Sequence, residues 1–317
     1  MENYCSGRQL LFGIVFLVVG VPPARPQAAS SPATVPVQML VTVEGRHGAE
    51  VPEITRDDVM VYQGRNRDRV TEWTALQEDR AGLELFVAID EACSPSLAQQ
   101  LDEIRRFINS QPATTSIGVA YMRNGTVDVL QQLTTDHAQA AKSLRLPLGE
   151  PGLSASPYQS VVDLIKRWPG GSRDWVRREV LMISDGIDRL GGGGPADSYV
   201  YSAIEQIQRA GVVIYAIYAN AVGHYGHTFW RLNWGQNYLS QVTDETGGEA
   251  YFMGLETPIA FSPYLDALAH RLDHQYLLGF LARPGPKAGL QKVDLRSEVP
   301  NVDLVAADRV WVPAGGK

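Results

Sequence analysis

Cysteine is almost absent: the 317 residues hold two, Cys5 and Cys93. Cys5 lies in a segment that reads as a removable leader, so the mature chain is expected to keep one thiol and no intramolecular disulfide. Stability must then come from a substantial core. There is no Lys/Arg-rich run, and 28 basic against 35 acidic residues give a formal charge of −7. An acidic chain of this kind is a poor partner for nucleic acid or anionic lipid. The sequence also lacks an apolar run long enough to span a bilayer comfortably. HExxH, a P-loop and a well-placed GxGxxG are missing, and Gly152-Leu153-Ser154-Ala155-Ser156 fails the nucleophile-elbow pattern at its last position. Gly191 to Pro195 is glycine-rich but lacks the Lys-Ser/Thr of a phosphate loop, so it reads as a linker.

What is present is an ordinary globular composition, 44% hydrophobic and 20% charged. A polar start, an almost wholly apolar stretch from Leu10 to Val21 and small residues around Ala28 and Ala29 have the order of a secretory signal peptide. We expect export to the periplasm or the medium, cleavage near Ala28, and no integral membrane segment afterwards. Loss of Arg8, Arg25 and Glu2 takes the charge from −7 to about −8. Residues 29–80 then form a β segment. Val37, Met39, Val41 and Val43 share one face of a strand, and Val59–Tyr62 and Arg69–Trp73 follow across turn signals.

From residue 81 to 275 the pattern changes to strands interleaved with helices. Leu83–Ile89 reads as a continuous apolar run, and Glu179–Ser184 and Val212–Ala219 as buried strands, as expected for strands covered on both faces. Ser94-Pro95 opens a helix carrying Leu97, Leu101, Ile104 and Ile108 on one side. Helices are also expected over Tyr158–Trp168, Ser198–Ala210, Tyr238–Thr246 and Pro263–Leu272, with a strand over Glu249–Met253. Asn124-Gly125 joins two runs as a tight hairpin, which accounts for the residues of the overlapping Asn-Gly-Thr sequon. The expected fold is α/β: a doubly wound, mostly parallel sheet with one antiparallel edge hairpin. Residues 276–317 return to short strands, expected to join 29–80 in a small β module built from both termini.

Ligands of open parallel sheets bind beyond the carboxyl ends of the strands. There the chain places Asp90 and Ser94 after one strand, Ser184, Asp185 and Asp188 around another, and Ser154 and Ser156 in a loop between them. Two carboxylates with hydroxyls form an oxygen-only set of the kind that holds Mg²⁺, Ca²⁺ or Mn²⁺. Together with the Asn-Gly hairpin and the order of elements, these residues resemble the von Willebrand factor A (VWA) domain. The flanking strands resemble the VWFA-related proteins of bacterial secretomes grouped in acidobacteria. The resemblance implies a protein-binding, adhesion-type function and a metal-ion-dependent site opened by Asp-x-Ser-x-Ser. Asp90 matches its acid, Ser94 its second serine and Asp185 its later acid, while Ser154 or Ser156 stands at the threonine position. Ala92 replaces the first serine and removes a hydroxyl ligand. In that scheme a partner carboxylate fills the cation's open position. Without a metal, Asp90 and Asp185 serve as turn caps and Ser94 as a helix cap.

Residues 221–236 carry His224, Tyr225, His227, Phe229, Trp230 and Trp234 in what reads as a long loop on the same edge. We read His224, Tyr225, His227, Trp230 and Trp234 as partner-binding residues. The two histidines lack a third spaced ligand and do not make a zinc site. Cys93, with acids nearby, reads as an inert thiol. Binding is therefore expected and catalysis is not, the alternatives being a metal-free envelope scaffold and a hydrolase using Ser94 or Ser154.

Overall fold

The computed structural model describes Met1 and residues 34–77, 82–150, 155–169, 176–191, 194–222, 228–252, 254 and 256–315. The leader and the candidate residues Ser154, His224, Tyr225 and His227 lie outside them. All that follows concerns the compact unit Ala33–Lys317.

One six-stranded sheet is mixed. Strands β4 (Leu83–Asp90), β5 (Thr115–Arg123), β6 (Thr126–Thr134), β7 (Arg177–Ser184), β8 (Val212–Tyr218) and β9 (Ala250–Tyr251) lie in the order β6-β5-β4-β7-β8-β9. Every neighbour pair is parallel except β5–β6, the Asn124-Gly125 hairpin at the edge. Both turn residues have positive φ, 53° and 71°, the requirement of the tight turn that matches strand twist. Of the expected strand over Glu249–Met253, Ala250–Tyr251 form β9, and Met253 lies outside the described residues.

The apolar runs are continuous because both faces of the sheet are covered. On one face Leu85, Val87, Ile89, Ile117 and Leu181 pack with α1 (Leu101–Ser110), α2 (His137–Lys142) and α6 (Ser262–Asp273). On the other, Phe86, Ala88, Ala120, Val180 and Met182 pack with α3 (Pro157–Lys166), α4 (Ser198–Ala210) and α5 (Phe229–Thr246). Each fully buried Leu, Ile, Val or Phe contributes about 1.5–3 kcal/mol. Gly118 of β5 gives the Phe86 ring its place, since a Cβ there would sit 2.2 Å from a ring carbon. The ring then meets Trp168 edge-on at 4.9 Å. Ser94 does cap a helix, but Pro95–Gln99 is a 3₁₀ piece with i→i+3 bonds, and α1 begins after it.

A second six-stranded sheet draws on both ends of the described chain. Strands β1 (Val35–Gly45), β2 (Val59–Gln63), β3 (Asn66–Ala75), β10 (Gln275–Ala282), β12 (Asp294–Ser297) and β13 (Val302–Ala306) run antiparallel in the order β12-β2-β3-β10-β1-β13. Strands β11 (Gly289–Lys292) and β14 (Arg309–Val312) pair beside it. Val37, Met39, Val41 and Val43 all face its core, the period-2 alternation expected of β1.

Where β10 begins, a polar cluster is buried against the central sheet. Arg177 donates to the Leu272 carbonyl at 2.7 Å and to Gln275 Oε1 at 2.6 Å. Gln275 Nε2 donates to the Tyr215 hydroxyl at 3.0 Å and, more weakly, to Glu179 Oε2 at 3.4 Å. Burial pushes the Glu179 carboxyl up to about 7, against the pull of Arg177 and of its hydrogen bonds. A carboxyl whose folded value lies above its unfolded one stabilises below the unfolded value and loses that contribution as pH rises through the folded one. Glu179 should therefore cost stability progressively from about pH 4.5 to pH 7, on the order of 3 kcal/mol in full. Thermal melts of wild type and Glu179→Gln at pH 5 and pH 8 check this. The variant should melt higher than wild type at pH 8 and the gap should close at pH 5; equal melting at pH 8 refutes it.

Candidate functional site

The sheet order places β5 beyond β4 in one direction and β8 beyond β7 in the other, with β4 and β7 parallel neighbours. Their carboxyl ends bring together Asp90, Ser184 and Asp185, all buried. Asp90 Oδ1 accepts from the Ala92 N–H at 2.9 Å and Oδ2 from the Ser184 hydroxyl at 2.8 Å. Asp185 Oδ1 accepts from the Ile187 N–H at 3.0 Å, and Oδ2 from Arg189 Nη2 at 2.8 Å. The Asp185 side chain is 0% exposed and that of Arg189 15%. Burial first, then the nearby Asp185 carboxylate, pushes the Asp90 carboxyl up to about 6, with Arg189 pulling the other way.

Close backbone packing holds the second strand end. Gly186, at φ +70°, lies so near α5 that a Cβ would meet the Gly235 carbonyl oxygen at 2.3 Å. The Tyr158 hydroxyl donates to the Gly186 carbonyl at 2.8 Å. Arg189 is fixed at its backbone too, its N–H donating to the Ala155 carbonyl at 2.8 Å.

The serines do other work. Ser94 Oγ accepts from the Ser96 N–H at 3.2 Å and the Ser96 hydroxyl at 3.0 Å, capping the 3₁₀ turn. Ser156 caps α3 by accepting from the Gln159 N–H at 3.2 Å, and its hydroxyl donates to Asp188 Oδ2 at 2.6 Å. Asp188 Oδ1 accepts from the N–H groups of Leu190 and Gly191. Glu91 points elsewhere, pairing with Arg145 and accepting from the Leu148 N–H at 2.7 Å. Cys93 is fully buried, and burial together with both carboxylates pushes its thiol up; it is poorly set for nucleophilic work.

These residues do not fit a divalent cation well. Carboxylate oxygens keep a second lone pair, so the hydrogen bonds alone leave capacity. Ala92, however, presents a methyl group, and the Ser94 and Ser156 hydroxyls are committed to caps. A guanidinium already lies against Asp185 and within electrostatic reach of Asp90 and Cys93. A second cation there would face a fixed positive charge in a medium of low dielectric. Among the described residues no group of three or more His, Cys, Asp or Glu side chains is arranged to hold a metal.

The aromatic segment differs from its sequence reading. Trp230 and Trp234 are not in a loop: α5 starts at Phe229, capped by Thr228, which accepts from the Arg231 N–H. The density of aromatics and Gly235 hid the extra turns. Trp234 leans partly buried on the core of that face, so it is packing more than contact surface. Trp230 is 65% exposed and stacks edge-on with exposed Phe229 at 5.6 Å. Other exposed apolar side chains lie on the same edge. Leu146 and Leu148 belong to the loop that Glu91 holds, and the carbonyl of Ile259, a residue 91% exposed, accepts from Gln100 just before α1. Sequence reasoning missed Arg189 and these leucines. The one signal for Arg189 was its place four residues after Asp185.

Two serines with different surroundings should respond differently to truncation. Ser156→Ala removes a cap and leaves Asp188 short of a donor, which should cost about 1–3 kcal/mol. Ser94→Ala loses a more exposed cap, worth about 1 kcal/mol or less. Urea unfolding of both checks this, and a Ser156→Ala midpoint equal to wild type counts against the assignment.

No family profile and no curated protein matches this chain. Solved structures similar to it include an aerotolerance-related membrane protein from Bacteroides fragilis, 14% identical with a TM-score of 0.44 over 61% of this chain and 99% of that one. A von Willebrand factor type A protein from Catenulispora acidiphila is 9% identical, with a TM-score of 0.42 over 91% of this chain and 76% of its own. A pilus adhesin from Lactobacillus rhamnosus GG is 7% identical, with a TM-score of 0.42 over 81% of this chain and 48% of its own. The second of these is named for the von Willebrand factor type A domain; the α/β fold of this chain rests on the strand order and register above.

Proposed function

We propose that this chain is an exported VWA-type interaction module, a doubly wound sheet whose carboxyl edge binds a protein partner. The observation that carries the reading is the exposed apolar rim on that edge. Phe229 and Trp230 open α5 there, Leu146 and Leu148 stand on the loop that Glu91 holds at the β4 end, and Ile259 stands on a segment held by Gln100 at the start of α1. Large apolar side chains grouped in this way mark interaction surfaces, and aromatic residues supply the strongest anchors. Binding, and not catalysis, is the chemistry these groups suit: Ser94 and Ser156 serve as caps and the Cys93 thiol is sealed in the core. The leader pattern of the first 28 residues supports export.

The test uses the full chain expressed in its own cells, with crosslinking and affinity capture from envelope and medium. The Phe229→Ala/Trp230→Ala pair should lower recovery of the wild-type partner at least roughly tenfold, as expected for loss of aromatic anchors, while the melting temperature stays unchanged. Leu130→Ala, on the edge strand β6, is the control and should capture normally. Undiminished capture by the aromatic double variant overturns the assignment of the surface. Mass spectrometry of the exported protein should find its amino terminus near residue 29, and an intact leader on fully cytoplasmic protein overturns the export reading.

A further inference from the structure

We propose that Arg189 is the resident cation of the strand edge, a guanidinium carried by the chain itself where a divalent ion would otherwise be needed, so that the edge assembles in metal-free solution. This goes beyond the partner reading and does not depend on it.

Four features converge on it. The Arg189–Asp185 contact is 2.8 Å with both side chains largely withdrawn from water, so it is a held pair and not a screened surface one. The backbone of Arg189 is anchored to Ala155 of the loop before α3, so the guanidinium is delivered from a fixed point. Its charge acts on Asp90 and Cys93 of the neighbouring strand end as well as on Asp185, so one group faces the loops after both β4 and β7. Ala92 is the fourth. Its buried methyl offers no lone pair, a lost ligand for an oxygen-coordinated ion. A guanidinium brings its own N–H donors and asks only for acceptors, so it loses nothing by that replacement.

A metal and a guanidinium leave different marks. A divalent ion can be withdrawn by chelator; an arginine cannot. Arg189 balances one of the two carboxylates, and Asp90 satisfies the remaining demand with the Ser184 hydroxyl and the Ala92 N–H.

The experiment is thermal melting of the full chain after chelator treatment, with and without millimolar Mg²⁺ or Mn²⁺, for wild type, Arg189→Ala, Arg189→Gln, Arg189→Lys and Asp185→Ala. Wild type should melt at the same temperature in chelator and in either ion. Arg189→Ala should melt roughly 5–10 °C lower, because a buried carboxylate loses its partner, and should recover part of that loss on adding Mn²⁺ or Mg²⁺. Arg189→Lys should keep most of the wild-type stability without ions. Should Arg189→Ala fail to fold, Arg189→Gln carries the same ion-dependent expectation with a smaller loss of packing. Stabilisation of wild type by several degrees on adding either ion, absent in Asp185→Ala, overturns the proposal and makes the edge a metal site. Arg189→Ala melting like wild type and indifferent to ions overturns it as well. Capture of a partner through Phe229 and Trp230 is read separately, so either result leaves that question decided on its own data.

Discussion

Parallel pairing of β4 with β5 on one side and β7 on the other is the constraint on which the rest of the structure depends. A parallel ladder needs a long crossover for each return, and those crossovers lay helices on both faces. The central strands must then be apolar in both directions, as Leu85–Ile89 and Val180–Ile183 are. The same arrangement points the carboxyl ends of β4 and β7 the same way. Asp90 and Asp185 meet because of it, although 95 residues separate them in the chain.

Burial of those two carboxylates creates an electrostatic demand that the surrounding loops answer. Backbone N–H groups, the Ser184 hydroxyl and the Arg189 guanidinium supply donors. The same logic operates at the opposite edge, where Arg177, Glu179, Gln275 and Tyr215 lie buried together as β10 leaves α6 for the second sheet. There desolvation outweighs the attraction of the arginine and the carboxyl is raised. At the carboxyl edge Asp90, Ser184 and Asp185 are buried, while Phe229, Trp230, Leu146, Leu148 and Ile259 are exposed.

Much of the fold was legible in the residues. Continuous apolar runs marked β4, β7 and β8, alternation marked β1, and Asn124-Gly125 marked the edge hairpin. The misses have local causes. The start of α5 was hidden because Phe229, Trp230 and Trp234 are weak helix formers and Gly235 breaks the pattern, while Thr228 gave a cap that passed unnoticed. The short helix α2 buries only Ala140 and Ala141, too little to make a period. Ser94 and Ser156 were visible as hydroxyls near acids. The cap role of Ser94 was one of two readings, and that of Ser156 emerged only with the fold.

By itself the sequence determined the alternation of strands and helices, the acids at two strand ends and the missing hydroxyl at Ala92, because periodicity, turn chemistry and residue type are local properties. Which groups meet at those strand ends was decided by the tertiary structure alone. Arg189 became the partner of Asp185 because the Ala155 carbonyl anchors its backbone and Gly186 packs against Gly235. The four-residue spacing from Asp185 and the charge of an arginine are written in the chain, but the low dielectric and the fixed anchor that direct it come only with the fold.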